Sequence, residues 1–223
     1  MMAHEMPCGL RWAAADPKRW HGKMPPLSRF VTGAGAVALV LAFAGVISAA
    51  ATTGIQHAQA QEEPVPAEHN PPGDIPDDQV FIVYKSPLGY SLKVPEGWGR
   101  IDRSDGAAFA DKYDTIDIAV TSAQSPPTIE SVARGETAEL ERTGRAVKIA
   151  KIKEVRLRAG PAVVIVYSSN SAPNPVTGKQ IRLENERYLL YHAGRLATLD
   201  LSAPLGADNV DQWQLISESF RWS

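Results

Sequence analysis

Cysteine is almost missing from this 223-residue chain: the one residue, Cys8, precedes every segment that reads as folded. A disulfide framework, a thiolate metal site and a cysteine nucleophile are thereby excluded from the folded part. Histidine is nearly as scarce. His4 and His21 lie in the N-terminal stretch, His57 and His69 in a proline-rich segment, and only His192 falls on a strand. It stands at a strand end beside a turn, the place of an ordinary surface residue. No serine occupies a Gly-x-Ser-x-Gly elbow, and no glycine-rich phosphate loop occurs. The sequence predicts no enzyme, no catalytic residue, no metal site and no cofactor.

Charge of one sign is also missing. The formal net charge is −2, with a basic start (Arg11, Lys18, Arg19, Lys23 and Arg29 against Glu5 and Asp16) and an acidic remainder. Nothing in that balance favours nucleic acid.

What is present begins with an address. Residues 1–29 form a basic leader. Within it, Met24 opens a compact n-region, and residues 1–23 read as lying upstream of the true start. Residues 30–55 are a signal-peptide h-region or a transmembrane anchor. Val31–Ile55 carries no charge and as a helix would reach roughly 37 Å, enough for a hydrocarbon core of ~30 Å. Its most apolar part, Ala34–Ile47, has the length of a cleavable signal, and small-residue cleavage patterns follow at Ala49-Ala50-Ala51 and Ala58-Gln59-Ala60. Basic residues before it and Glu62 and Glu63 after it orient the chain N-in and C-out. Both secretion and anchoring fit. Either makes the protein extracytoplasmic.

Residues 56–79 read as a linker. They are rich in proline and acid, with Val65 and Ile75 as their only aliphatics beyond alanine, too little to offset chain entropy, so an extended mobile segment is expected. Residues 80–223 form the domain. Period-2 strands appear in "VFIVYK", "YSLKVP", "AAFADK", "DIAVTSA", "VKIAKIKEVRLRAG", "QIRLENERYLLYH" and "RLATLDLSA". "PAVVIVYS" is apolar without a break, as in a strand covered on both faces. A helix is expected between Thr128, its cap, and Gly144, its end. Another starts after Asp208 and Asn209, whose oxygens, with Asp211, read as first-turn caps rather than a cation loop.

The segments "YSLKVPEGWGRID", "AAFADKYDTIDIAV", "RAGPAVVIVYSS", "RYLLYHAGRLATLDLSAP" and "DQWQLISESFRW" resemble the PsbP-like superfamily, including its bacterial envelope lipoprotein-type domains. The similarity covers most of Val80–Trp222. Its motifs are structural: the Pro95…Gly97-Trp98 turn, Gly160, and the Ser219-Phe220-x-Trp222 ending. The resemblance implies an α+β fold, an antiparallel β-sheet covered by helices in an α/β/α sandwich, mostly without enzymatic activity. The alternating strands argue for the same sheet independently.

Candidate binding residues follow from charge and exposure. Lys148, Lys151, Lys153, Arg156 and Arg158 make a basic ribbon that could meet an acidic partner or anionic surface. Its apolar phase slips between Ile149 and Ile152, which predicts a bulge. Arg187 breaks the pattern of its strand, either because a bulge reverses the phase or because the side chain is presented to a partner. Pro173 and Val176 belong to a stiff loop, 171–178. Asp111, Asp114 and Asp117 lie around one hairpin and are expected to point to water. The expected partner is an envelope protein, the alternative being a small or lipidic ligand in a sheet–helix cavity. The membrane itself is met only through the N-terminal segment if uncleaved, and no nucleic acid is expected.

Overall fold

The computed structural model describes residues 62–69, 71 and 73–223. The leader, the apolar segment and the start of the linker lie outside them. Among the described residues no helix is long and apolar enough to cross a membrane.

The chain makes β1 (Phe81–Ser86), β2 (Tyr90–Pro95), β3 (Gly99–Asp102), β4 (Gly106–Asp111) and β5 (Asp114–Ser122). Then come α1 (Ile129–Arg134), α2 (Glu136–Thr143), β6 (Lys148–Leu157), β7 (Gly160–Asn170), β8 (Arg182–His192), β9 (Arg195–Pro204), α3 (Val210–Ser219) and β10 (Arg221–Trp222). Seven strands form an antiparallel sheet in the order β3-β4-β5-β9-β8-β7-β6, and β1-β2-β10 form a small second sheet. The fold is α+β, as expected. The covering differs from a plain α/β/α sandwich. One face of the large sheet packs on α1 and α2 through Val132 and Leu140 against Val163, Ile165 and Leu189. The other packs on α3 and the small sheet, through Ile216, Phe220, Tyr90 and Leu92 against Ile118, Leu199 and Leu201.

The unbroken apolar run in β7 is explained by this double covering: Ala162, Val163, Val164 and Ile165 are all buried. The β6 register shifts between Ile149 and Lys151, where the sequence phase slips. Thr128 caps α1 in a reciprocal capping box with Ser131, and the Gly144 N–H closes α2 on Leu140. The single helix expected there is two, broken at Gly135. The short strand β3 was not expected; all four of its residues are exposed, so no burial period marks it.

The acidic segment is where sequence and structure part most. Residues 62–69, 71 and 73–76 are without helix or strand, and their side chains and backbone are strapped to the domain. Glu62 pairs with Arg145 at 3.1 Å and accepts from Asn170 and Gln180; Glu68 pairs with Lys179 at 2.7 Å. Ile75, one of the two larger aliphatics, is buried. Its N–H donates to Asn209 Oδ1 at 2.7 Å and its carbonyl accepts from Gln212. Fixed polar partners on the domain thus supply what the apolar content of the strap lacks. Asn209 stands at the N-cap of α3 but makes no side-chain cap; its amide joins Ile75, Gly73 and Asp114 instead.

Asp114, expected at the surface, is buried. Burial first, then the charges of Asp111 and Asp74, push its carboxyl up to about 7, against Lys112 and the Asn209 hydrogen bond. The folded protein therefore holds this proton more firmly than the unfolded chain, so stability falls as pH rises from about 4 to about 7. Asp114→Asn is expected to remove that slope and to stabilise the domain above pH 7 by on the order of 2–4 kcal/mol. Urea titrations at pH 5 and pH 8 check it; equal gains at both would refute the assignment.

Candidate functional site

On the face covered by α3, the strand register lays residues of β6, β7 and β8 side by side. Lys148 pairs with Ser168 and Ser168 with Glu184; Lys151 with Val166 and Val166 with Glu186; Lys153 with Val164 and Val164 with Tyr188. Directly paired antiparallel residues share a face, so this surface carries lysines on one strand, mainly apolar residues on the next, and glutamates on the third. Helix α3 leaves a cleft of about 420 Å³ above it, walled by Val155, Leu157, Val166, Tyr188 and Trp213. Its charged lining is Lys153 and Arg156 from β6, Glu184 and Glu186 from β8, and Glu218 from α3.

These charges are poorly matched within the protein. Among the described residues, none of the five takes part in an ion pair. Glu186 accepts from the Tyr188 hydroxyl. Burial, and then this neighbour, raise the Tyr188 phenol above its ordinary range. Burial likewise raises Glu184, opposed by the Gly206 backbone N–H and reinforced by Glu186. A carboxylate held half-buried without a cation is electrostatically unsatisfied.

Of the sequence candidates, Lys153 and Arg156 line this cleft. Lys148 and Lys151 are exposed beside it on β6. Arg158 lines a separate groove of about 370 Å³ with Lys93, Leu215 and Arg221. Pro173 is exposed, and Val176 is 90% exposed on a loop tied by Asn174 to Val176 and Thr177; neither lines the cleft. The sequence reading missed Glu184, Glu186, Tyr188, Trp213 and Glu218. Alternation in "LENERY" was the available signal for the two β8 glutamates.

Arg187 is engaged within the protein. The β8 register runs without a bulge, and the side chain faces α2 on the opposite side of the sheet. It donates to both Asp200 oxygens at 2.6 and 2.8 Å and pairs with Glu136. Burial opposes its charge, but the Asp200 bonds outweigh it and raise the guanidinium above its usual range. The phase of β8 breaks because both faces are covered and one holds this network.

Asp117 is held by Arg103 at 2.7 and 2.8 Å while Asp114 turns to Asn209, so the hairpin acids do not converge. No group of three His, Cys, Asp or Glu is placed to hold a metal among the described residues. His192 stacks on Trp222, with ring centroids 5.9 Å apart.

Fold and cleft together define an α+β domain whose doubly covered antiparallel sheet carries a ligand-sized recess against α3. No protein-family model matches the sequence, and no curated protein matches it. Among solved structures the chain is similar to cyanobacterial PsbP from Synechocystis sp. PCC 6803 (TM-score 0.48, 14% identity, 68% of this chain and 98% of that one). It is also similar to LpqN of Mycobacterium tuberculosis, described as involved in cell envelope biogenesis (TM-score 0.36, 17% identity, 72% and 90%). A third is the protein PA94 of Pseudomonas aeruginosa (TM-score 0.38, 12% identity, 60% and 91%). The first bears the name of the family whose motifs the sequence resembles.

Replacing Arg187 by alanine strands Asp200 and is expected to cost about 3 kcal/mol, read from urea denaturation, without weakening whatever the cleft binds. Full stability with lost binding would reverse the structural assignment.

Proposed function

We propose that the protein is a non-enzymatic, extracytoplasmic binding module that holds a small ligand between the seven-stranded sheet and α3. The observation carrying this reading is the cleft of about 420 Å³, with its apolar walls and unpaired charges, a size and lining typical of small-molecule sites. The charge-free segment Val31–Ile55, with basic residues before it, supports the extracytoplasmic address. The scarcity of histidine and cysteine supports binding rather than catalysis.

A second reading, docking of an envelope protein, is favoured by the 90% exposure of Val176 on a loop braced by hydrogen bonds. A braced loop loses little entropy on binding.

Native mass spectrometry of the full chain, gently extracted from its own envelope, separates the two. A retained mass of a few hundred daltons is the expected result, lost when Trp213→Ala opens the cleft wall. A retained mass of tens of kilodaltons would favour the protein partner, and a bare chain would count against both.

A further inference from the structure

The cleft holds its charges in two separate banks. Lys153 faces the cleft from β6, Arg156 borders it from the opposite face of that edge strand, and Glu184, Glu186 and Glu218 stand on β8 and α3. Strand β7 runs between, presenting Val164 and Val166 in the register positions that separate lysine from glutamate or tyrosine. Two strand spacings put the β6 and β8 backbones roughly 10 Å apart. The banks are near enough for one small molecule to touch both, and among the described residues no ion pair joins them.

We propose that the ligand is a zwitterion, with an ammonium group held by the glutamates and a phosphate or carboxylate held by Lys153 and Arg156, on a partly apolar body. This rests on the cleft being the ligand site. Three features support it. A single cation would satisfy the glutamates and leave the basic bank bare, and a single anion would do the reverse. Val155, Leu157 and Val166 offer apolar contact between and beside the banks. Tyr188 and Trp213 line the acidic side, and aromatic rings with carboxylates are the surroundings in which ammonium groups are held. The basic ribbon of the sequence thereby gains a partial role: its Lys153 and Arg156 are one half of a site whose other half is acidic.

The test is calorimetric titration of the full chain with four probes that share a six-carbon chain: hexylphosphocholine, hexyltrimethylammonium, hexyl sulfate and hexyl glucoside. Phosphocholine without a chain is the fifth. Hexylphosphocholine is expected to bind at least tenfold more tightly than the other three hexyl probes. Glu184→Gln with Glu186→Gln should reverse the order in favour of hexyl sulfate, and Lys153→Gln with Arg156→Gln in favour of hexyltrimethylammonium. Opposite reversals distinguish recognition from damage to the fold, and equal thermal midpoints confirm that both variants are folded. Phosphocholine binding as tightly as its hexyl ester would assign the site to soluble zwitterions; weaker binding would assign it to chain-bearing ones. Equal affinity for all four hexyl probes, or preference for a singly charged one, overturns the zwitterion and leaves the cleft a ligand site. Failure of every probe to bind, in wild type and variants alike, overturns the proposal and the ligand site together.

Discussion

The central strands of the large sheet are buried on both faces, and the rest of the molecule is arranged around that constraint. A strand with one wet face can send alternate residues to water; β7, β8 and β9 cannot. Each polar side chain they carry must find a partner inside or emerge at a gap in the covering. Arg187 and Asp200 take the first course, meeting across β8 and β9 beneath α2. Asn185 does the same, donating to Ser169 Oγ at 3.0 Å. Glu184 and Glu186 take the second, and the gap that receives them is the cleft under α3. The same sheet chemistry therefore gives a structural ion pair on one face and a recess with unsatisfied charge on the other.

Which parts were legible in the sequence follows from the range of the interactions involved. The β7 run, the cap at Thr128 and the bulge near Ile149 depend on neighbours a few residues apart. A period or a cap records such features. The pairing of Ile75 with Asn209 joins residues 134 apart in sequence, and nothing local to either announces it. The strap looked like a free linker because its composition is that of one; its partners lie on loops and strands far along the chain. Helix α3 was expected, but Asn209 gives its side chain to the strap rather than to the helix.

The cleft was half legible. Its basic bank stood out as a charge run, and Lys153 and Arg156 were among the candidates. Its acidic bank was hidden in a strand whose alternation appeared broken. Alternation in a doubly covered strand reports two interiors at once, and reading it as one inside and one outside gives a false irregularity. Arg187 and the glutamates beside it lie on opposite faces of β8, so neighbours in the sequence serve unrelated ends.

The bulge in β6 bears on a different question, how the protein keeps to itself. Strand β6 is one edge of the seven-stranded sheet, and a straight apolar edge is a template on which another chain can add a strand. Here the register slips at Ala150, and exposed lysines flank the slip at positions 148 and 151. A second backbone meets a kink and a row of like charges where it would need a continuous ladder. The opposite edge, β3, is only four residues long. Both ends of the large sheet are thus poor seeds for growth by strand addition, and copies of the domain that meet along them do not zip together.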